Sequence, residues 1–235
     1  MKVEIWSDVM CPFCYIGKRK LEAALTQFSN SDNIELEWKS FQLTPGLITQ
    51  TGKSLNQFLA EHKGMSVEQA AGLNQQVTNM AKKEGLTFNL DKAVIANTIN
   101  AHRFLHFAKK NGKQNEAEEL LFRSYFTDGK NIDDYATLLQ LGSEIGLNAE
   151  ELKAALESNA YASDVQQDIK EAQQIGVRGV PFFVFDRKYA ISGAQPVEAF
   201  LQTLEQSFNE WQQEHKMAAI EVTEGDVCKP DGTCD

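Results

Sequence analysis

The sequence predicts an α/β fold whose strand-forming ends are separated by a large all-helical insertion. Three observations predict it. Strand patterns occur only near the two ends of the chain, at about 2–6 and 34–41 and again at 182–192. Between about residues 45 and 175 no strand pattern appears, only a succession of helix starts. The first strand also runs straight into a Cys-x-x-Cys, formed by Cys11 and Cys14, that opens a helix. The 235 residues, 42% hydrophobic and 24% charged, can bury a core without staples. They exclude a disordered chain and a disulfide-dense miniprotein.

Residues 2–6 read as a short strand with Val3 and Ile5 on one face. After Cys11, Pro12 falls where a first helical residue tolerates its missing N–H. Leu21, Ala24, Leu25 and Phe28 then recur at helical spacing. Over 34–41, Ile34, Leu36 and Trp38 alternate with Glu35, Glu37 and Lys39, a second strand. Ser54 precedes a helix with Leu55, Phe58 and Leu59 on one side, and Ser66 with Gln69 forms a capping box. Asp91 is expected to open a helix that aligns Val94, Thr98, Ala101, Leu105 and Ala108. Asn148 caps another, and Gly112, Gly129 and Gly146 fall at helix ends or links. The last helix of this run, about 161–175, ends at Gly176. Strands at 182–186 and 188–192 join through a tight turn near Asp186 and Arg187, and Pro196 starts a helix to about Gln213. The expected organisation is a discontinuous domain from 1–44 and 176–212, a helical domain over 45–175, and a tail, 213–235.

The net charge of −10 disfavours phosphate backbones, so nucleic acid is not expected as a partner. No apolar run approaches the roughly 18 residues of a membrane span. Charges inside the first apolar stretch, Met1 to Asp8, make it a strand and not a signal peptide. The expected location is the cytoplasm, where thiols are kept reduced. Oligomeric state, monomer or homodimer, stays open.

Paired cysteines in a reducing compartment point to redox or metal chemistry. The pairs Cys11–Cys14 and Cys228–Cys234 have different spacings, which does not suggest a zinc ribbon or finger. No metal or other cofactor is expected. Cys11 lies at a helix N-terminus, where free N–H groups and the macrodipole stabilise a thiolate. Cys14 lies one turn further in and is expected to be more buried. This assigns attack to Cys11 and resolution of the mixed disulfide to Cys14. Far downstream, Gly176-Val177-Arg178-Gly179-Val180-Pro181 leads into the apolar Phe182-Phe183-Val184-Phe185. A proline at the first position of a strand is tolerated there.

With these two features the chain resembles the thioredoxin fold. More narrowly it resembles the DsbA family of thiol–disulfide oxidoreductases, in its FrnE-like branch. The matching stretches are Asp8 to Gly17, Phe41 to Pro45, Asn97-Thr98 with Ala101-His102-Arg103, Phe122 to Phe126, and Gly179 to Phe185 running on to Ser192-Gly193-Ala194-Gln195. The resemblance implies a thioredoxin fold split by a helical insertion. It also implies a cis Val180–Pro181 bond facing Cys11, with the Val180 backbone free to pair with an extended substrate. Pro12, Phe13 and Val180 are the expected substrate-binding residues, and polypeptide or small-thiol disulfides, glutathione among them, the expected partners. A second reading is a glutathione-dependent isomerase or transferase, of the chromene-carboxylate isomerase and kappa glutathione transferase type. Those enzymes share the insertion but typically bear Ser at the position of Cys11.

Weaker features are read against plain structural roles. His102 and His106 are four apart on a predicted helix, but no third ligand is evident. His102 is expected to brace the insertion over the cleft. Asp8 is either a proton acceptor acting through water or a hydrogen-bonding residue at the strand end. Trp6 and Tyr15 are expected to pack around the motif. Phe13 stands where the family's namesake has His, which implies a less oxidising pair. The polar run Asn115–Glu119 reads as a solvated helix face. Between Cys228 and Cys234, Pro230-Asp231-Gly232 is turn chemistry that would let this second pair form its own disulfide.

Overall fold

The computed structural model describes residues 1–215. Cys228, Cys234 and the expected redox tail around them lie outside the described residues. The chain runs β1 (Lys2–Ser7), α1 (Pro12–Gln27), β2 (Glu35–Ser40), then seven helices, then β3 (Phe182–Phe185), β4 (Tyr189–Ser192) and α9 (Val197–Glu214). The seven are α2 (Leu55–Lys63), α3 (Val67–Lys83), α4 (Ile99–Lys110), α5 (Gln114–Phe126), α6 (Tyr135–Glu144), α7 (Ala149–Glu157) and α8 (Ala162–Gln174).

The four strands form one sheet in the order β2-β1-β3-β4. β1 and β2 are parallel, with Val3 opposite Leu36, and α1 is the crossover that parallel pairing requires. β3 runs antiparallel to β1, with Ile5 opposite Phe183. β3 turns into β4 through Asp186 and Arg187, whose φ of 49° and 56° fit the primed turns of tight hairpins. Side chains on β1 alternate between two cores. Val3 and Ile5 share the main core with Leu21 of α1 and Phe200 and Leu204 of α9. Trp6 points the other way, onto Ala172 of α8, Val177 and Val184. Trp6 therefore belongs to the α8 side of the sheet, where its indole N–H donates to the Asp168 carbonyl at 3.0 Å, and not to the shell around the motif.

This is a thioredoxin-type sheet interrupted between β2 and β3 by helices, the α/β architecture expected. Within the insertion, the Ser54 and Ser66 capping boxes and the Asn148 cap form as the local sequence dictates. Asp91 does not open a helix. α4 begins only at Ile99, because the preceding segment is held extended by its neighbours. The Ile95 carbonyl accepts from the Gln50 amide at 2.8 Å, and Asn97 donates to the Leu47 carbonyl at 2.6 Å. The Asn97 side chain then accepts from the Ile99 amide at 2.9 Å, a local cap that competes with continued helix.

Candidate active site

Cys11 is the N-cap residue of α1, with extended backbone (φ −88°, ψ 111°), and Pro12 follows at the first helical position. The Cys11 amide donates to the Asp8 carbonyl at 2.9 Å, and the Cys14 amide to the Cys11 carbonyl at 3.0 Å. Both cysteines are free thiols. The Val180–Pro181 bond is cis, and the Cys11 thiol donates to the Val180 carbonyl at 3.5 Å. The loop is fixed from behind by the Gly193 amide, which donates to the Pro181 carbonyl at 2.8 Å. Gly17 lets α1 approach this loop. A Cβ there would stand 3.1 Å from both Pro181 Cγ and Phe183 Cζ.

Cys11 is less open than its position suggests. It is 4% exposed, against 1% for Cys14, because the Val180 carbonyl and the surrounding apolar side chains close over its sulfur. The exposed apolar surface is carried by neighbours instead. Phe13, inside the motif, is 38% exposed, and Leu43, whose amide donates to Asp8 Oδ2 at 2.7 Å, is 44% exposed.

Behind the thiols lies a buried polar cluster built from four residues. Ser7 ends β1, Asp8 follows it, His102 comes from α4, and Glu118 from α5. All four are buried. Ser7 Oγ donates to Glu118 Oε1 at 2.9 Å. His102 Nε2 stands 3.5 Å from Asp8 Oδ1, too long for a good hydrogen bond. Glu118 Oε2, Asp8 Oδ1, both His102 nitrogens and the Tyr125 hydroxyl have no hydrogen-bond partner among the described residues. Such groups are rare in folded proteins and costly to keep.

Burial, then the neighbouring Cys11 thiol, push the Cys14 pKa well up, while the Ser7 hydroxyl favours its thiolate. Burial lifts the Glu118 carboxyl to about 7, against the opposing influence of His102, Ser7 and Lys18. Burial disfavours a charged His102, but the Asp8 carboxylate outweighs it and holds the imidazole above its usual range.

The insertion is pinned to the motif helix beside this cluster. Tyr15 stacks on Phe122 with centroids 4.8 Å apart, and its hydroxyl donates to Glu119 Oε1 at 2.6 Å. Tyr15 thus turns toward α5. His102 and His106 part ways: His106 faces Asp168 and Ser40, each at 3.1 Å. Among the described residues no group of His, Cys, Asp and Glu is arranged to hold a metal, and no helix is long and apolar enough to cross a membrane.

The run Asn115–Glu119 is a solvated face only at Asn115 and Glu116. Glu118 is fully buried, Glu119 binds Lys18 and Arg19 of α1, and Asn115 accepts from the Trp38 indole at 3.0 Å. Composition hid Glu118, but helical spacing points to it. It stands three, four and seven residues before Leu121, Phe122 and Tyr125, on the apolar side of α5.

Residues 2–205 match the family model of the DSBA-like thioredoxin domain. A probable DsbA oxidoreductase from Streptomyces coelicolor is similar in structure, with a TM-score of 0.83 and 37% identity, covering 100% of this chain and 98% of that one. The cytosolic disulfide reductase DsbM from Pseudomonas aeruginosa, solved with GSH, shares the fold at a TM-score of 0.63 and 18% identity, covering 89% of this chain and 100% of its own. The uncharacterised protein YwbO of Bacillus subtilis is 28% identical over 184 residues, 77% of this chain and 85% of that protein. With its two thiols at the start of α1 and its sheet split by helices, the chain belongs to the DSBA-like thioredoxin domain family.

Proposed function

We propose that this protein is a thiol–disulfide oxidoreductase in which Cys11 attacks and Cys14 resolves. The observation that carries the reading is the position of Cys11, at the N-cap of α1 with its sulfur against the Val180 carbonyl and Cys14 one turn behind. In the reducing direction the Cys11 thiolate attacks a substrate disulfide and expels one substrate thiol. Cys14 then attacks Cys11, releases the second substrate thiol and closes the Cys11–Cys14 disulfide. Val180, Pro12 and the exposed Phe13 border the place where a substrate chain would lie, with Pro181 shaping the loop. The substrates are polypeptide or small-thiol disulfides, and glutathione, present with DsbM, is the small thiol favoured for recycling. A reducing cytoplasm suits a site that works as a dithiol, since thiols are kept reduced there. Residues 1–44 and 176–212 form the catalytic frame in this reading, and 45–175 the part that backs and covers it. Cys228 and Cys234 supply a second dithiol.

The buried Cys14 behind Cys11 favours disulfide exchange over glutathione-dependent isomerisation, which needs no resolving thiol. Turnover of a fluorescent disulfide peptide tests the reading. Cys11→Ser should abolish it, and Cys14→Ser should accumulate a mixed disulfide with substrate. Full turnover by Cys11→Ser would overturn the proposal.

A further inference from the structure

Resolution by Cys14 faces a physical obstacle. A thiol attacks only as its thiolate, and this one is 1% exposed, so its proton cannot pass directly to bulk water. The surroundings contain an acceptor. The Ser7 hydroxyl favours the Cys14 thiolate and donates to Glu118 Oε1 at 2.9 Å, which sets Ser7 between the thiol and the carboxylate. Glu118 is itself fully buried, and its second oxygen has no partner among the described residues. The charged and titratable groups that act on it come from the elements around it: Asp8 beyond β1, Lys18 of α1 and His102 of α4. Asp8 is a poorer acceptor, since one of its oxygens already binds the Leu43 amide at 2.7 Å and the other faces His102.

We infer that Glu118, on the helical insertion, accepts the Cys14 proton through Ser7 when the mixed disulfide is resolved. The inference rests on the exchange reading above. In the step, the Cys14 thiol gives its proton to Ser7 Oγ while the Ser7 hydroxyl proton passes to the Glu118 carboxylate. The Cys14 thiolate forms the Cys11–Cys14 bond, the Cys11–substrate S–S bond breaks, and its electron pair leaves with the substrate thiolate. The protein dithiol is oxidised by two electrons and the substrate disulfide is reduced. In the reverse direction Glu118 returns the proton to Cys14 as it leaves. A carboxyl that titrates near neutral pH suits both directions. Glu118 thus ties the insertion to the chemistry and does not merely cover it.

The test is single-turnover reduction of dithionitrobenzoate, a symmetrical chromogenic disulfide, by the full-length chain carrying Cys228→Ser and Cys234→Ser. The first chromophore reports attack by Cys11, the second resolution by Cys14. Glu118→Gln should leave the first phase within about twofold and slow the second by about 100-fold, the lower end of typical proton-transfer contributions. In the parent protein the second phase should rise with pH through about 7, as Glu118 becomes the carboxylate. In the variant that step should vanish, leaving only the rise from the Cys14 thiol at higher pH. An unchanged second phase with an unchanged pH profile overturns the relay. So does slowing by Asp8→Asn with Glu118→Gln neutral. Should Glu118→Gln fail to fold, Ser7→Ala decides, with a slowed second phase expected and an unchanged one fatal. Absence of the first phase in the parent would instead sink the exchange reading itself.

Discussion

Two buried ionic clusters flank β1, and helix α4 contributes one histidine to each. Around His106 the charges are matched. Asp168 accepts from the Ser40 amide at 2.9 Å and faces His106 at 3.1 Å and Lys39 at 3.2 Å. Lys39 also meets Glu37 and Glu171, and Arg187 binds Glu4 and Glu171. Around His102 the groups are more deeply buried and poorly matched, with five atoms of Asp8, His102, Glu118 and Tyr125 left without partners among the described residues. A satisfied network is built to hold shape. An unsatisfied one lowers stability and leaves protons with no fixed owner, which suits a place where protons move. The unsatisfied cluster is the one behind the thiols.

The largest expected effect comes from breaking the matched cluster. Asp168→Ala leaves Lys39 and His106 without their counter-charge and the Ser40 amide without its acceptor. It should destabilise the fold by about 3–5 kcal/mol, the usual result of breaking a buried pair from one side. Urea titration reads this, and exchange activity per folded molecule should stay within about twofold. Loss of activity without loss of stability would erase the contrast between the clusters. The cluster also has an acid limb. Burial opposes ionised Glu37, but Lys109, Lys2 and Lys39 hold its carboxyl down to about 2. A lowered carboxyl contributes stability above its ordinary value of 4.5 that is lost as pH falls toward about 2.

The second effect has the opposite sign. Glu118 is lifted from 4.5 to about 7, so the folded chain holds a proton that the unfolded chain has released. Stability from this group is present below pH 4.5 and is lost as pH rises through about 7. The slope it imposes over that window is worth on the order of 1–3 kcal/mol. Glu118→Gln should flatten the curve there and leave the acid limb below pH 4.5 in place. Melting temperature against pH for both chains checks this. Equal slopes would mean that Glu118 is solvated or already paired.

The two clusters also differ in how far the sequence reveals them. The strands, the hairpin turn and the Ser54, Ser66 and Asn148 caps are encoded within a few neighbouring residues, and local pattern suffices to read them. The juxtaposition of Cys11 with Val180–Pro181 joins residues 169 apart, and only the family resemblance anticipated it. Glu118 was masked by Glu116 and Glu119 on either side, since composition over five residues reads polar while one helical face is apolar. Asp91 misled for the converse reason. Its segment has helical spacing, but the Gln50 amide occupies the Ile95 carbonyl and the Asn97 side chain occupies the Ile99 amide, backbone groups that a continued helix would need. Tertiary partners decide both cases, and they are invisible to a short window.

A third test perturbs the thiol pair from the front and leaves both clusters intact. In Gly17→Ala the new methyl would press on Pro181 and Phe183 at 3.1 Å. Glycine in a helix interior already costs about 0.5–1 kcal/mol relative to alanine, so the substitution gains that much. Against it stands overpacking of about 1–3 kcal/mol. The net expectation is a destabilisation of about 1 kcal/mol. Exchange should fall several-fold, because the loop that faces Cys11 has to shift. A more stable variant with full activity would show that the loop yields freely.

The smallest effect concerns Phe13. The cluster behind the motif acts on Cys14, and among the described residues no cationic side chain is in hydrogen-bond contact with Cys11, whose thiol donates to the Val180 carbonyl and lies beside Cys14. Phe13 is 38% exposed, so its side chain can be replaced without opening the core. An imidazole there would offer the Cys11 thiolate a donor and, when protonated, a positive charge. Both stabilise the reduced pair relative to the disulfide and so make the disulfide more oxidising. One hydrogen bond to a charged group contributes about 1.5–3 kcal/mol when buried. Half-exposed and free to turn away, this one should contribute about half as much, a rise in potential on the order of 20–30 mV. Equilibration of Phe13→His with glutathione buffers measures it. The stability-versus-pH curve of the oxidised protein should stay as in the parent, since neither cluster is touched. A potential that does not move would mean that residue 13 faces only the substrate.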